Sequence, residues 1–292
     1  MGAYSALNDI DGIYRFNFSG SSWRSSLAGT RIAVFESCQD VVKQLSDRIV
    51  AALFLRGDVA PSPVKVSHTV PRNVFSARAD FGYPTLNTSG LINQVGAVFD
   101  DRPVDGVSDH KNITDAKAVA NYKRYKKDKI ADSITGEIRL MPDKRTLEIN
   151  TDRSAVVTLP AKGSAAAGSF KVTDTNVFQT LAAISLDGKK LAESDSIVVL
   201  QLTNILASGV RFADQDLRRQ ETYGEGPLLM RRGTAQVSLA VKGPVTVTAV
   251  DFQGDALGKI PVTMKGNIAT FTADNFKFAN GIAGYHITPV KK

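Results

Sequence analysis

The chain has 292 residues, 43% of them hydrophobic and 22% charged, the make-up of a globular protein with two modest domains or one large β domain and an extension. Its net charge of +7 is spread out, with 20 Lys/Arg against 17 Asp/Glu in residues 1–150 and 16 against 12 thereafter, so no concentrated basic surface for nucleic acid is expected. No apolar run approaches the roughly 18 residues of a membrane span, and Cys38, the only cysteine, excludes an internal disulfide and a cysteine-built metal site.

Residues 2–18 read as the tail of a helix, a break at Gly12 and an apolar-aromatic strand, Ile13–Phe18. A strand of parallel type needs neighbours on both sides and helices over both faces. Residues 1–60 are therefore expected to dock on something encoded elsewhere, or to belong to the C-terminal piece of a larger protein. The segment from Ser37 to Gly57 is the clearest helix, with Val41, Leu45, Ile49 and Leu53 recurring every four residues. Ser37 and Asp40 resemble a capping box, Gly57 suits the position just past the helix end, and Pro61 and Pro63 forbid continuation.

Residues 61–132 read as an extended connector with short strands, Val64–Val70 and Leu91–Phe99, among turn-forming residues. Within it, Lys123–Lys129 is the one dense basic cluster, read as a solvated loop or helix end. From Ser133 the texture changes. Glu137–Leu140, Thr146–Asn150, Ala155–Leu159, Ser169–Val172, Leu181–Leu186, Ile197–Thr203, Ala235–Val241, Val245–Val250, Lys259–Met264, Ile268–Thr272 and Gly284–Pro289 are rich in Val, Ile, Thr and Phe. Turn chemistry such as Asp187-Gly188 and Gly266-Asn267 separates them. Strands at this spacing predict an antiparallel β-sandwich over residues 133–292, interrupted by a long polar loop at 204–226.

Few residues point to chemistry. Gly254–Lys259 is too short for a phosphate loop and lies between strands. His68, His110 and His286 are scattered, without the spacing of metal ligands, and no nucleophile elbow occurs. Glycoside hydrolysis needs only two carboxylates, and two pairs qualify by proximity: Asp9 with Asp11, and Glu221 with Glu225 on either side of Tyr223. Loop acids of this kind are usually solvated. Trp23, the only tryptophan, follows the first strand in a Ser/Gly-rich loop. On a barrel strand, that loop emerges on the face where barrel enzymes place their active sites, and an indole there offers a flat apolar surface to a sugar ring.

Asp11–Phe16, the helix ending in Ala51–Val59, and Thr135–Leu140 are similar to the C-terminal part of large bacterial (β/α)8-barrel glycoside hydrolases. Ile184–Ser194 and Tyr223–Leu229 carry the same resemblance. It implies a mainly β fold: a C-terminal antiparallel β-sandwich (133–292) preceded by the terminal βα unit (1–60) of an incomplete TIM-type barrel. It also implies that the catalytic glutamates lie on a barrel portion N-terminal to this sequence, so no catalytic residue is assigned, and Trp23 is the one substrate-binding candidate. No cofactor or metal is expected. The expected partners are a carbohydrate substrate and the missing barrel portion. The resemblance leaves the compartment open, with a periplasmic or secreted parent if that parent carries a signal peptide. A non-catalytic carbohydrate-binding protein and a cell-surface β-sandwich are the competing readings. A flat aromatic strip would favour the first of these, and the sandwich offers only Tyr223 and Tyr285.

Overall fold

The computed structural model describes residues 1–14, 18–19, 37–69, 88–98, 107–109, 113–214, 219–279 and 281–290. They are mainly β, with large antiparallel sheets, as the strand spacing predicts. The chain divides into two compact units, residues 1–13 with 50–155, and residues 14–49 with 156–292. Most of the expected strand Ile13–Phe18 lies outside the described residues, and its described members, Ile13, Tyr14 and Phe18, are not in a strand.

In the first unit, helix α1 (Gly2–Leu7) buries Ala3, Ala6 and Leu7. Gly2 lies so close to Val50 that an added Cβ would stand 3.1 Å from its Cα. Asn8, just past the helix, donates to the Gly90 carbonyl at 2.9 Å and accepts from the Val95 amide at 3.1 Å. Strands β1 (Lys65–Thr69), β2 (Gln94–Val98) and β3 (Val107–Asp109) pair in parallel, in the order β2–β1–β3. Strands β4 (Ala131–Asp132), β5 (Ile138–Met141) and β6 (Thr146–Asn150) form an antiparallel meander.

Two helices differ from the sequence expectation. Helix α2 runs Val41–Val50 and widens into a π-helical segment, Ala51–Leu55. Its N-cap is Asp40 and not Ser37: the Asp40 carboxylate accepts from the Lys43 amide at 2.9 Å, satisfying an otherwise orphaned donor of the first turn. Ser37 instead starts the preceding turn, its carbonyl accepting from the Asp40 amide. The expected role of Gly57 is observed, at φ +69°. The basic cluster forms a helix end, one of the two readings of it, and the helix, α3 (Ala116–Asp128), extends further N-terminal than expected; it is capped by Asp115, whose side chain accepts from the Ala118 amide at 2.8 Å.

The second unit holds the sandwich. Strands β7 (Ser154–Leu159), β10 (Gln179–Ser185), β11 (Ile197–Leu202), β17 (Val245–Val250), β18 (Ala256–Ile260) and β21 (Gly284–Pro289) pair in the order β18–β17–β21–β11–β10–β7. Strands β8 (Ala165–Ala167), β9 (Phe170–Thr173), β16 (Thr234–Ala240), β19 (Val262–Lys265) and β20 (Ile268–Asp274) form a second sheet, β19–β20–β16–β9–β8. Burial alternates along β16, β17 and β20, so Val237, Leu239, Val247 and Phe271 point inward and their neighbours outward. Phe271 meets Tyr285 across the two sheets, with ring centroids 5.3 Å apart.

A seam of buried polar groups crosses this core. Gln201, Gln179, Asn275 and Tyr285 are all about 1% exposed or less. The Tyr285 hydroxyl donates to the Gln201 carboxamide oxygen at 2.9 Å. The Gln201 amide donates to Gln179 Oε1 at 2.8 Å and to the Gly233 carbonyl at 3.0 Å. Asn275 Oδ1 accepts from the Gly233 amide at 2.8 Å. Every partner is at normal hydrogen-bond distance, which is how a core tolerates such groups.

Candidate functional site

The described residues of the interruption expected at 204–226, 204–214 and 219–226, form a β-ribbon in the second unit. Apolar residues start it: β12 (Ile205–Ser208) pairs antiparallel with β15 (Glu225–Met230), Leu206 opposite Leu229 and Ala207 opposite Leu228. The register then slips, so that Ser208 faces Glu225 and the ladder passes over Gly226 and Pro227. Beyond the slip, β13 (Arg211–Phe212) pairs with β14 (Gln220–Thr222). Irregularities of this kind re-aim side chains that a regular ladder would send to alternate faces.

A groove of about 960 Å³ lies against the ribbon beside the slip, lined among the described residues by Ser208, Arg211, Thr222, Tyr223, Glu225 and the glycines 209, 224 and 226. Two of those glycines are required by geometry. Gly209 and Gly224 have φ of +75° and +67°. A Cβ on Gly224 would also stand 2.5 Å from the Ser208 carbonyl oxygen and 2.7 Å from the Val210 nitrogen. The Thr222 hydroxyl donates to the Gly209 carbonyl at 3.0 Å and fixes the wall between them. Tyr223 is 56% exposed, and Arg211 and Glu225 are exposed on either side of it in sequence. Its described lining thus presents an aromatic residue, hydroxyls, one cation and one anion, which offset one another.

Other residues singled out from the sequence fall elsewhere. Trp23 and His110 lie outside the described residues, as does the side chain of His68. Glu221 is exposed at the centre of β14, and Glu225, the other member of the pair, begins β15 on the groove. Asp9 follows α1 at φ +55°, and both it and Asp11 are exposed. His286 is held by Ser196 at 2.9 Å. Gly254–Lys259 forms a turn and strand, with the Asp251 carboxylate accepting from the Gln253 and Asp255 amides. No group of three or more His, Cys, Asp or Glu suited to a metal ion occurs among the described residues. None of their helices is long and apolar enough to cross a membrane.

Several carboxylates are committed to holding the fold. Asp58, its side chain fully buried, pairs with Arg56 at 2.5 Å and Arg153 at 2.9 Å, and accepts from the Ser154 hydroxyl. Asp132 pairs with Arg124 and Arg139. The Glu137 carboxylate accepts from the Ala60 amide at 3.0 Å, and burial raises its pKa above the usual value. Asp187 accepts from the Asp195 amide and the Ser194 and Ser185 hydroxyls, which hold its carboxyl well below the usual range.

Arg211, Ser208 and Thr222 are the groove residues that reading the sequence missed. The signal available was a pair of short apolar runs, Ile205–Ala207 and Pro227–Met230, framing glycines around one tyrosine. No family model, curated protein or solved structure shows a significant match to the chain.

Proposed function

We propose that this chain is the C-terminal part of a (β/α)8-barrel glycoside hydrolase, supplying an accessory β-sandwich while the catalytic glutamates reside on an N-terminal barrel portion outside this sequence. The observation that carries the reading is the Asp58 clamp. Arg56-Gly57-Asp58 ends the helix assigned by resemblance to the last barrel unit, and its buried carboxylate is bound by Arg153 and Ser154 at the start of β7. The clamp lies within the first unit and closes this helix end onto the segment that leads into β7, which suits the end of a folded domain better than the start of a flexible linker. The other stretches of the resemblance, around Glu137 and Asp187, likewise coincide with carboxylates engaged in structure. Trp23 is the residue that the reading assigns to the substrate cleft.

The test is to express the gene together with its upstream reading frame and compare it with this chain for release of reducing sugar from neutral polysaccharides. The long form is expected to turn over and the chain alone to be inert. Turnover by the chain alone that disappears in Glu225→Gln overturns the proposal, as does an upstream frame encoding no barrel.

A further inference from the structure

We propose that the groove on the ribbon is a saccharide-binding subsite, taking one ring of a neutral glycan with its C–H face on Tyr223. The proposal deepens the carbohydrate reading above, and its chemistry comes from the groove itself.

Three properties select the ligand. The first is charge. Arg211 and Glu225 offset one another, so a phosphate or a polyanion gains little from the groove and a neutral ligand keeps both side chains as hydrogen-bonding partners. The second is the mixture of surfaces. A tyrosine more than half exposed lines the groove with Ser208 and Thr222, which matches a molecule apolar on one face and hydroxylated at its edge. The third is shape. A volume of about 960 Å³ is at the upper end of ligand sites, roughly 300–1,000 Å³, and this one is open to solvent, as the passage of a polymer requires.

The groove is also built to stay open. Left-handed glycines at 209 and 224, and the Thr222 hydroxyl on the Gly209 carbonyl, fix the backbone that lines it. A backbone held in place spares a ligand the cost of ordering a loop. Tyr285, the other tyrosine of the sandwich, is fully buried, so one ring and not a strip does the stacking. Affinity for a single subsite is accordingly modest.

The full chain is titrated calorimetrically with cellohexaose, xylohexaose, mannohexaose and maltohexaose, and with tri-galacturonic acid as the anionic probe. At least one neutral oligosaccharide is expected to bind with a Kd on the order of millimolar or tighter. Tyr223→Ala should weaken that binding about tenfold, and Tyr223→Phe should stay within about twofold, because the ring and not the hydroxyl does the stacking. Arg211→Met should weaken it about fivefold. Melting curves check that each variant is folded at the temperature of the titration. Binding by none of the neutral probes overturns the proposal, as does equal binding by Tyr223→Ala or a preference for tri-galacturonic acid. The titration uses the chain alone and reads no turnover. A long form that hydrolyses glycans beside a chain that binds none therefore removes the subsite and leaves the hydrolase reading standing.

Discussion

Replacing Gln201 by leucine removes the hub of the polar seam without emptying its space. Three buried groups lose a partner: the Tyr285 hydroxyl, Gln179 Oε1 and the Gly233 carbonyl. Each buried group left unsatisfied costs about 1–3 kcal/mol. Leucine's own apolar burial returns about 1–2 kcal/mol. The loss is further softened because the Gly233 carbonyl keeps the Asn275 amide as a donor at 3.3 Å. The expected destabilisation is about 2–4 kcal/mol, which lowers Tm by about 5–15 °C in a domain of this size. Thermal melting of the full chain, followed by circular dichroism, measures it. Tyr285→Phe alone should cost about 1–2 kcal/mol by stranding Gln201 Oε1. The double variant should fall short of additivity, because both changes break the same bond. A Gln201→Leu protein melting within about 2 °C of the parent, or strict additivity in the pair, would refute the reasoning.

Two further outcomes test other parts of the fold. Asp58→Asn keeps the shape but gives up both ion pairs. Since Arg56 and Arg153 are about a third exposed, the loss should be about 1–3 kcal/mol, read as a lowered Tm and as earlier proteolytic cleavage near Gly57. Asp187 has a folded pKa depressed by its hydrogen bonds, so its contribution is complete above the ordinary carboxylate pKa of about 4 and is lost as pH falls below it towards the folded value. Asp187→Asn should flatten the acid limb of the stability profile below about pH 4, and an unchanged acid limb would count against the assignment.

The strands most legible in the sequence are those with alternation and turn residues at both ends. Thr146–Asn150, Val245–Val250 and Gly284–Pro289 appear with the bounds the pattern gives. Lys259–Met264 does not, because Pro261 falls inside it. The missing amide ends β18 at Ile260, and the next strand belongs to the other sheet. Helix α3 was legible only as a possible helix end at its lysine cluster, because its exposed face is crowded with lysines and of its residues only Ala118 is buried, with Tyr122 and Tyr125 half-buried. The parallel pairing of β1, β2 and β3 was beyond reach, since partners distant in sequence leave no mark on local periodicity. The groove was legible only in part. Tyr223 and Glu225 stood out as an aromatic beside an acid, but Arg211 joins them through its pairing opposite Thr222, and register depends on pairing and not on composition.

The corner at Pro261 bears on how such a molecule avoids its own kind. Strands β18 and β19 are the outermost strands of their respective sheets on the side where the chain crosses over. Unpaired amides and carbonyls along a margin of this kind invite a strand from another molecule, the first step of fibril growth. Here the two margins form one covalent run of five and four residues, divided by a residue with no amide hydrogen and bearing exposed Lys259 and Lys265. A docking strand would have to bend with the corner, forgo a bond at the proline and lie beside two like charges. The opposite margin of the second sheet is the three-residue β8, too short to template a ladder. A sequence this rich in β-forming segments therefore keeps its second sheet from becoming a seed for aggregation.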